Sequence, residues 1–386
     1  MKKFIVRTSF GAFFLAAVVL GQTGPAGWRG TIATENGVKV VRNPAEPLYG
    51  TFAFDLEDDL VIGGDPAKED YYFPKGGVLS VDDEGNIYVA DFGNRRVHVF
   101  DKSGKFLWPL GRRGQGPGEY QSPGRVLFDP QGNPCVWGPR ELVCFGKDGS
   151  FMKKIPVKTF LSTSMLGPRG TIIGTTQPRL GSGGPKYTLV QLDPEGAPLR
   201  TVAEYRGEFK ENQTAIVLHA YGNRIAFAPL TPETFVYGFS ETYRIHVADV
   251  EGRTVLLIAK DEKPQSISGK EKDETRESGI YALIGTNEKK LDDGMFPDHR
   301  PFFGQILTDD AGRIYVVRSG SILDKDASRK VDVFSKDGYY LYAVAWRSFP
   351  SVLKAGFFYE VREDKETSEY EVVRRRIKNW SSMKTG

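Results

Sequence analysis

Cysteine is nearly absent from this chain of 386 residues, which has two, Cys135 and Cys144. Histidine is almost as scarce, with four: His98, His219, His246 and His299. Two cysteines exclude a disulfide-dense scaffold and a multi-cysteine metal cluster. Charge of one sign is also missing, since 52 Lys and Arg face 49 Asp and Glu for a formal net of +3. Long apolar runs are lacking except at the N-terminus, so no span is expected after it. Turn formers and aromatics are plentiful instead, with 44 Gly, 23 Pro and 12% Phe, Trp and Tyr. That favours many short strands joined by turns over a helical bundle.

The N-terminus reads as a signal peptide over residues 1–21. Lys2, Lys3 and Arg7 precede an apolar stretch over residues 10–20, and Val19 and Gly21 suit cleavage before Gln22. An uncleaved anchor is the alternative. No cysteine follows the cut, which argues against a lipid anchor. The leader's three basic residues account for the whole net charge, so the mature chain is neutral and periplasmic or secreted.

Internal repetition organises the rest. The segment VLSVDDEGNIYVADFGNRRVHVFDKSGKFLWPLG (residues 78–111) alternates apolar and polar residues in four runs. It reads as a four-stranded antiparallel meander. Its first turn, at Gly85, has counterparts at Gly132, Gly170, Gly222, Gly312 and Gly356. Its last turn, at Gly104, recurs at Gly149, Gly196, Gly252 and Gly338. The final unit ends without an outer strand. Residues 60–63, Leu-Val-Ile-Gly, resemble the end of the first full unit and supply the missing strand, which closes the ring and removes sheet edges. The expected fold is all-β, a six-bladed β-propeller over residues 37–380 with a tail at 381–386. Residues 258–300, with helical character near 271–283, form an insertion between blades four and five, either a lid or a loop without fixed structure.

The run YVADFGNRRVHVFDKSGKF, followed by GRRGQGPGEY, resembles bacterial NHL-repeat propellers of the six-bladed kind. The resemblance covers about residues 37–378 and is strongest over 78–151. It implies a propeller whose usual role is binding a protein or small ligand at the variable-loop face and channel mouth. Some relatives are lyases or lactonases with calcium or zinc in the central channel, which keeps a metal-dependent propeller enzyme as the alternative.

Cys135 and Cys144 flank Gly138-Pro139-Arg140-Glu141, a good turn with Pro at its second position. A hairpin centred between Pro139 and Arg140 sets the cysteines opposite one another, about 4.5 Å apart at a non-hydrogen-bonded pair and within disulfide range. In an exported chain a disulfide is expected; two packed free thiols are the alternative.

Strand parity assigns the faces. In a four-stranded meander the first and last turns share one face, here the scaffold face. The second turn and the link to the next blade lie opposite, where loops vary. That face should carry Arg95, Arg96, Arg112, Arg113, Gln115, Glu119 and Arg140, together with residues 177–185. The glycines of residues 111–120 allow backbone N–H groups to cradle an anion, with the arginines adding charge for phosphate, carboxylate or an acidic sugar. The competing reading is a stiff connector whose arginines pair with Glu119 or Asp91.

Catalysis has no constellation behind it. His98 and His246 fall in third strands, and His219 and His299 alone do not make a zinc site. Asp82, Asp129 and Asp309 end first strands on the scaffold face and suit turn hydrogen bonds better than calcium. No nucleophile elbow is visible. Neither cofactor nor metal is expected. Arg374, Arg375 and Arg376 alternate with Glu369 and Glu371 as a solvated strand edge, which argues against nucleic acid. The sequon at Asn212 matters only in a glycosylating host. A monomer is expected.

Overall fold

An aspartate opens, and a glycine completes, six of the turns that shape this molecule. The Asp82 carboxylate accepts hydrogen bonds from the backbone N–H of Glu84 at 2.9 Å and of Asn86 at 2.8 Å, and Gly85 sits at φ 87°. A side chain would be strained there, and glycine is not. The same bracket forms at Asp129 with Gly132 and at Asp309 with Gly312. Asp101, Asp193 and Asp249 build it again between third and fourth strands.

The computed structural model describes residues 24–386 apart from 66, 177–178, 182–183, 207–215, 219, 280, 285–290, 325–327 and 365–368. The expected leader at 1–21, His219, the sequon at Asn212 and parts of 177–185 and 258–300 lie outside the described residues.

Six antiparallel meanders follow one another. Blade one is Gly77–Val81, Ile87–Asp91, Arg96–Phe100 and Phe106–Pro109. Blade two is Arg125–Phe128, Pro134–Trp137, Glu141–Phe145 and Phe151–Pro156. Blade three is Leu161–Leu166, Ile172–Thr176, Gly184–Leu192 and Pro198–Arg206. Blade four is Ile225–Thr231, Thr234–Phe239, Arg244–Asp249 and Thr254–Lys260. Blade five is Phe303–Thr308, Ile314–Arg318, Arg329–Phe334 and Tyr340–Trp346. Blade six has Val352–Lys354, Phe357–Glu363 and Tyr370–Ile377, and its outer strand is Leu56–Gly63 from the N-terminal side. That strand runs antiparallel to the third, with Ile62 opposite Val372, so the expected ring closure is present.

The segment ahead of the closing strand does more than lead to it. Val38–Asn43 adds in parallel to the outer strand of blade four, and Thr31–Glu35 pairs with it in turn. Thr51–Phe52 then adds in parallel to the outer strand of blade five. One stretch thus straps three successive blades from outside. The core lies between blades: Tyr88, Val97 and Val99 of blade one pack on Val126, Val136 and Val143 of blade two.

One turn assignment is corrected. The first turn of blade four joins Thr231 to Thr234 through Pro232 and Glu233 and contains no glycine. Gly222 lies ahead of the inner strand, at the opposite end of the blade. The other five first-turn glycines and all five last-turn glycines have left-handed φ.

Cys135 and Cys144 form the expected disulfide, at opposed positions with Cα atoms 4.0 Å apart. Both are buried and join the apolar layer between blades two and three. A polar knot ties blade four to blade five. The Asp332 carboxylate, 3% exposed, accepts from Lys260 Nζ at 2.9 Å and from the hydroxyls of Tyr243 at 2.5 Å and Tyr340 at 2.6 Å.

Candidate functional site

Each blade has four strands, so every inner strand starts on the same face and runs through the ring in the same direction. The starts lie beside the second turns and the interblade links, which is the face with variable loops. Inner strands of all six blades line one central cavity of about 1100 Å³.

Arg125 opens the inner strand of blade two, and Arg224 immediately precedes that of blade four. Both line the cavity at its variable-loop end. Each side chain is open to the cavity, yet desolvation by the surrounding ring pulls both guanidinium pKa values down, with Tyr187 partly opposing this at Arg224. Between them stands blade three. Its second strand ends at Thr176, opposite Leu161, and its third strand brings Tyr187 and Thr188 to the same rim. Blade three therefore supplies hydroxyl groups between two cations.

Among the described residues no Asp, Glu, His or Cys lines this cavity. Calcium takes carboxylate oxygens and zinc takes histidine or thiolate, and two arginines repel any cation. The lining does not fit a channel metal of the lyase or lactonase kind. Nor do three His, Cys, Asp or Glu side chains gather at a metal-like spacing anywhere among the described residues. His98 is buried in blade one, 3.4 Å from Asp91, and His246 stacks on Tyr237, where burial brings its pKa down to about 4. His299 packs edge-on against Phe302.

The seven residues singled out from the sequence stand farther out on the same face, and none lines the cavity. Arg112 donates to Glu119 at 2.7 Å, and the same carboxylate accepts from the backbone of Gly116 at 2.9 Å. These hydrogen bonds hold the Glu119 pKa below its usual range. The backbone carbonyl of Gln115 accepts from Lys154. Arg96 is engaged by Glu69 at 2.9 Å and donates to the His98 ring at 3.1 Å. Arg95, Arg113 and Arg140 are exposed, and Arg95 takes a left-handed φ of 54° in a turn bracketed by Asp91. The arginines thus divide into loop-holding and solvent-facing groups.

A cap stands beside the mouth. Residues 261–300 leave blade four on the variable-loop face and include the helix Gly269–Ser278, the only α-helix among the described residues. The helix starts and stops where its chemistry dictates. Ser268 and Glu271 form a capping box, and Gly279 ends it in the left-handed region. It is shorter than the 271–283 stretch expected, because Gly279 stops it. Glu271 is 1% exposed and accepts from Tyr221 at 2.7 Å, Ser321 at 2.7 Å and Arg300 at 2.8 Å. Ile267, Leu291, Met295 and Phe296 pack with Tyr221 beneath. Tyr221 directly precedes Gly222, Asn223 and Arg224, all of which line the cavity, so the cap is fastened to one wall of the mouth.

A family model described as DUF5128, 6-bladed beta-propeller, matches residues 76–281, more than half of the chain. Among solved structures, a protein described as exported from Bacteroides fragilis NCTC 9343 is 11% identical at a TM-score of 0.50, over 88% of this chain and 99% of its own. A duf4221 family member from Bacteroides vulgatus is 10% identical at 0.48, over 83% and 97%. Virginiamycin B lyase from Staphylococcus aureus is 8% identical at 0.36, over 77% and 79%. At such identities the likeness is one of fold. No curated protein matches the sequence.

Proposed function

We propose, from the premise that this chain belongs to the DUF5128 family of six-bladed β-propellers, that it is an exported binding module whose ligand seat is the mouth of the central channel on the variable-loop face. The observation that carries this reading is the cavity itself: six inner strands wall it, and polar side chains of three successive blades gather at one end. Concave sites with a few convergent polar groups are where small ligands bind. The repeats are NHL-like in this reading, and the wider face, with Arg95, Arg113 and Arg140 exposed, extends a basic rim around the seat. Arg96, Arg112, Gln115 and Glu119 hold its loops in place. Export is supported by the basic leader followed by an apolar run and by the buried disulfide, which suits an oxidising compartment.

Gly304 makes the test simple. It lines the cavity, and a Cβ added there meets nothing within 4 Å, so Gly304→Trp puts an indole into the mouth with no clash at its Cβ. Purified protein is equilibrated with a small-molecule extract of the native cell envelope, washed, and its retained compounds identified by mass spectrometry. A compound held by the wild type and lost in Gly304→Trp supports the reading. Equal retention by both proteins, or retention of nothing, overturns it.

A further inference from the structure

The mouth is chemically lopsided. Across blades two to four its lining runs from Arg125 through Ser162, Thr176 and Thr188 to Asn223 and Arg224. Across blades five, six and one it is mostly small or apolar, with Gly304, Phe349, Pro350, Gly77 and Val78, and with Gln305 and Ser351 as polar members. A cation therefore stands at each end of a hydroxyl-rich arc, facing a largely apolar wall.

Unlike Arg95, Arg113 and Arg140, which also lack a carboxylate partner among the described residues but face solvent, these two arginines line a cavity. Arg42, Arg96, Arg112, Arg313, Arg318 and Arg374 each pair with a carboxylate within 4 Å. Arg125 and Arg224 have no such partner among the described residues, and no carboxylate lines their cavity. A guanidinium keeps its proton under all ordinary conditions. Desolvation acts on both, so each charge has given up part of its hydration without a protein counter-charge. Such a group gains from an incoming anion more than a fully hydrated surface arginine does, because the hydration is already lost. Its planar fork also matches the two oxygens of a carboxylate, phosphate or sulfate. The intervening hydroxyls and the Asn223 amide can bond a ligand's own hydroxyls, while the apolar wall accepts its carbon skeleton.

We propose that the channel mouth binds a small hydroxylated organic oxyanion, with Arg125 and Arg224 as its two cationic ligands. This rests on the reading of the mouth as the ligand seat. It specifies the ligand's charge, which that reading leaves open.

Isothermal titration of the purified full chain uses four probes: glucuronate, glucose 6-phosphate, glucose 6-sulfate and neutral glucose. At least one charged probe should bind ten-fold or more tighter than glucose. Arg125→Gln and Arg224→Gln should each weaken that binding about ten-fold, equivalent to about 1.4 kcal/mol. Arg125→Lys, which keeps the charge and loses the fork, should fall between Arg125→Gln and wild type. Arg253→Gln, on the scaffold face, should change nothing. The strongest charged probe identifies the oxyanion as carboxylate, phosphoryl or sulfate. Charged probes that bind no better than glucose, or no binding of any of them at millimolar concentration, overturn the proposal. So does a charged probe indifferent to both glutamine variants. Gly304→Trp separates the two readings. If it abolishes binding that the arginine variants leave intact, the mouth remains the seat and the oxyanion is refuted. If it too has no effect, both readings fall.

Discussion

Closure of the ring by residues from the N-terminal side can be tested with two adjacent substitutions. Ile62 is 1% exposed and packs among Phe73, Leu79 and Val372, at the junction of blade six with blade one. Val61 follows the opposite parity and is 47% exposed. Ile62→Ala removes three buried carbons, about 2.4 kcal/mol of transfer free energy at about 0.8 kcal/mol each. The cavity left behind adds to this, giving about 3–4 kcal/mol within the usual range for such deletions. Val61→Ala removes two carbons from a half-exposed position and should cost under about 1 kcal/mol. Equilibrium urea unfolding, followed by tryptophan fluorescence, gives both values, and an unchanged m-value ensures that they are comparable. The expected gap is about 2–4 kcal/mol. Equal costs at the two positions, or an Ile62→Ala protein within about 0.5 kcal/mol of wild type, would mean that this strand does not close blade six with the register described.

Three other perturbations probe separate parts of the scaffold. Reducing the Cys135–Cys144 bond, which closes a loop of sequence separation 9, should lower stability by about 2.5–3 kcal/mol on the chain-entropy estimate, read as the difference between urea curves with and without reductant. A thiol assay on the denatured, unreduced protein should find none free. Asp332→Ala leaves Lys260, 2% exposed at its side chain, with Glu262 at 3.1 Å as its remaining partner and removes the acceptor of Tyr243 and Tyr340, and should cost about 3 kcal/mol by the same unfolding assay, whereas Asp83→Ala on the surface should be nearly neutral. The cap should loosen in acid. Burial opposes ionisation of Glu271, but donors from Arg300, Ser268, Ser321 and Tyr221 outweigh it and bring its pKa from 4.5 down to about 2. A depressed carboxylate stabilises the fold above its unfolded pKa, and that contribution drains away as pH falls from about 4.5 toward 2. Protection factors of amides in the helix Gly269–Ser278, taken against the intrinsic exchange rate at each pH, should fall through that window, and in Glu271→Gln they should already be low at neutral pH.

What was legible in the sequence follows from how local each feature is. The turns are local. An aspartate, a glycine in the left-handed region and two short flanking strands lie within a few residues of one another, so five of six first turns and the facing cysteines could be placed by counting. The strap was not legible. Val38–Asn43 reads as a strand, but its partner Thr254–Lys260 lies more than 200 residues away, and parallel addition to an outer strand leaves no mark of its own in either segment. The closing strand was visible only because blade six ended one strand short. The cap's burial was hidden for a related reason. Its anchor is a glutamate that reads as surface charge until Tyr221, Ser321 and Arg300 converge on it.

The single misplaced glycine explains why Arg224 was not legible in the sequence as a residue of the channel mouth. With Gly222 taken as a first turn, Arg224 would open the second strand of blade four, on the scaffold face. The true turn, at Pro232 and Glu233, needs no glycine because neither residue takes a positive φ, and the hydroxyls of Thr231 and Thr234 bond across it at 2.7 Å. Moving the register carries Arg224 to the start of an inner strand and hence to the opposite face. There it meets the cavity that Arg125 lines from the equivalent position in blade two. Neither arginine stands in a glycine-rich loop or a basic run, so local density drew attention to Arg112 and Arg113 instead. Arg112 lies where loop rigidity needs a counter-charge to Glu119, and Arg113 faces solvent. At the inner-strand starts no carboxylate is available, and a charge left unanswered there points to a ligand more strongly than a cluster of answered ones.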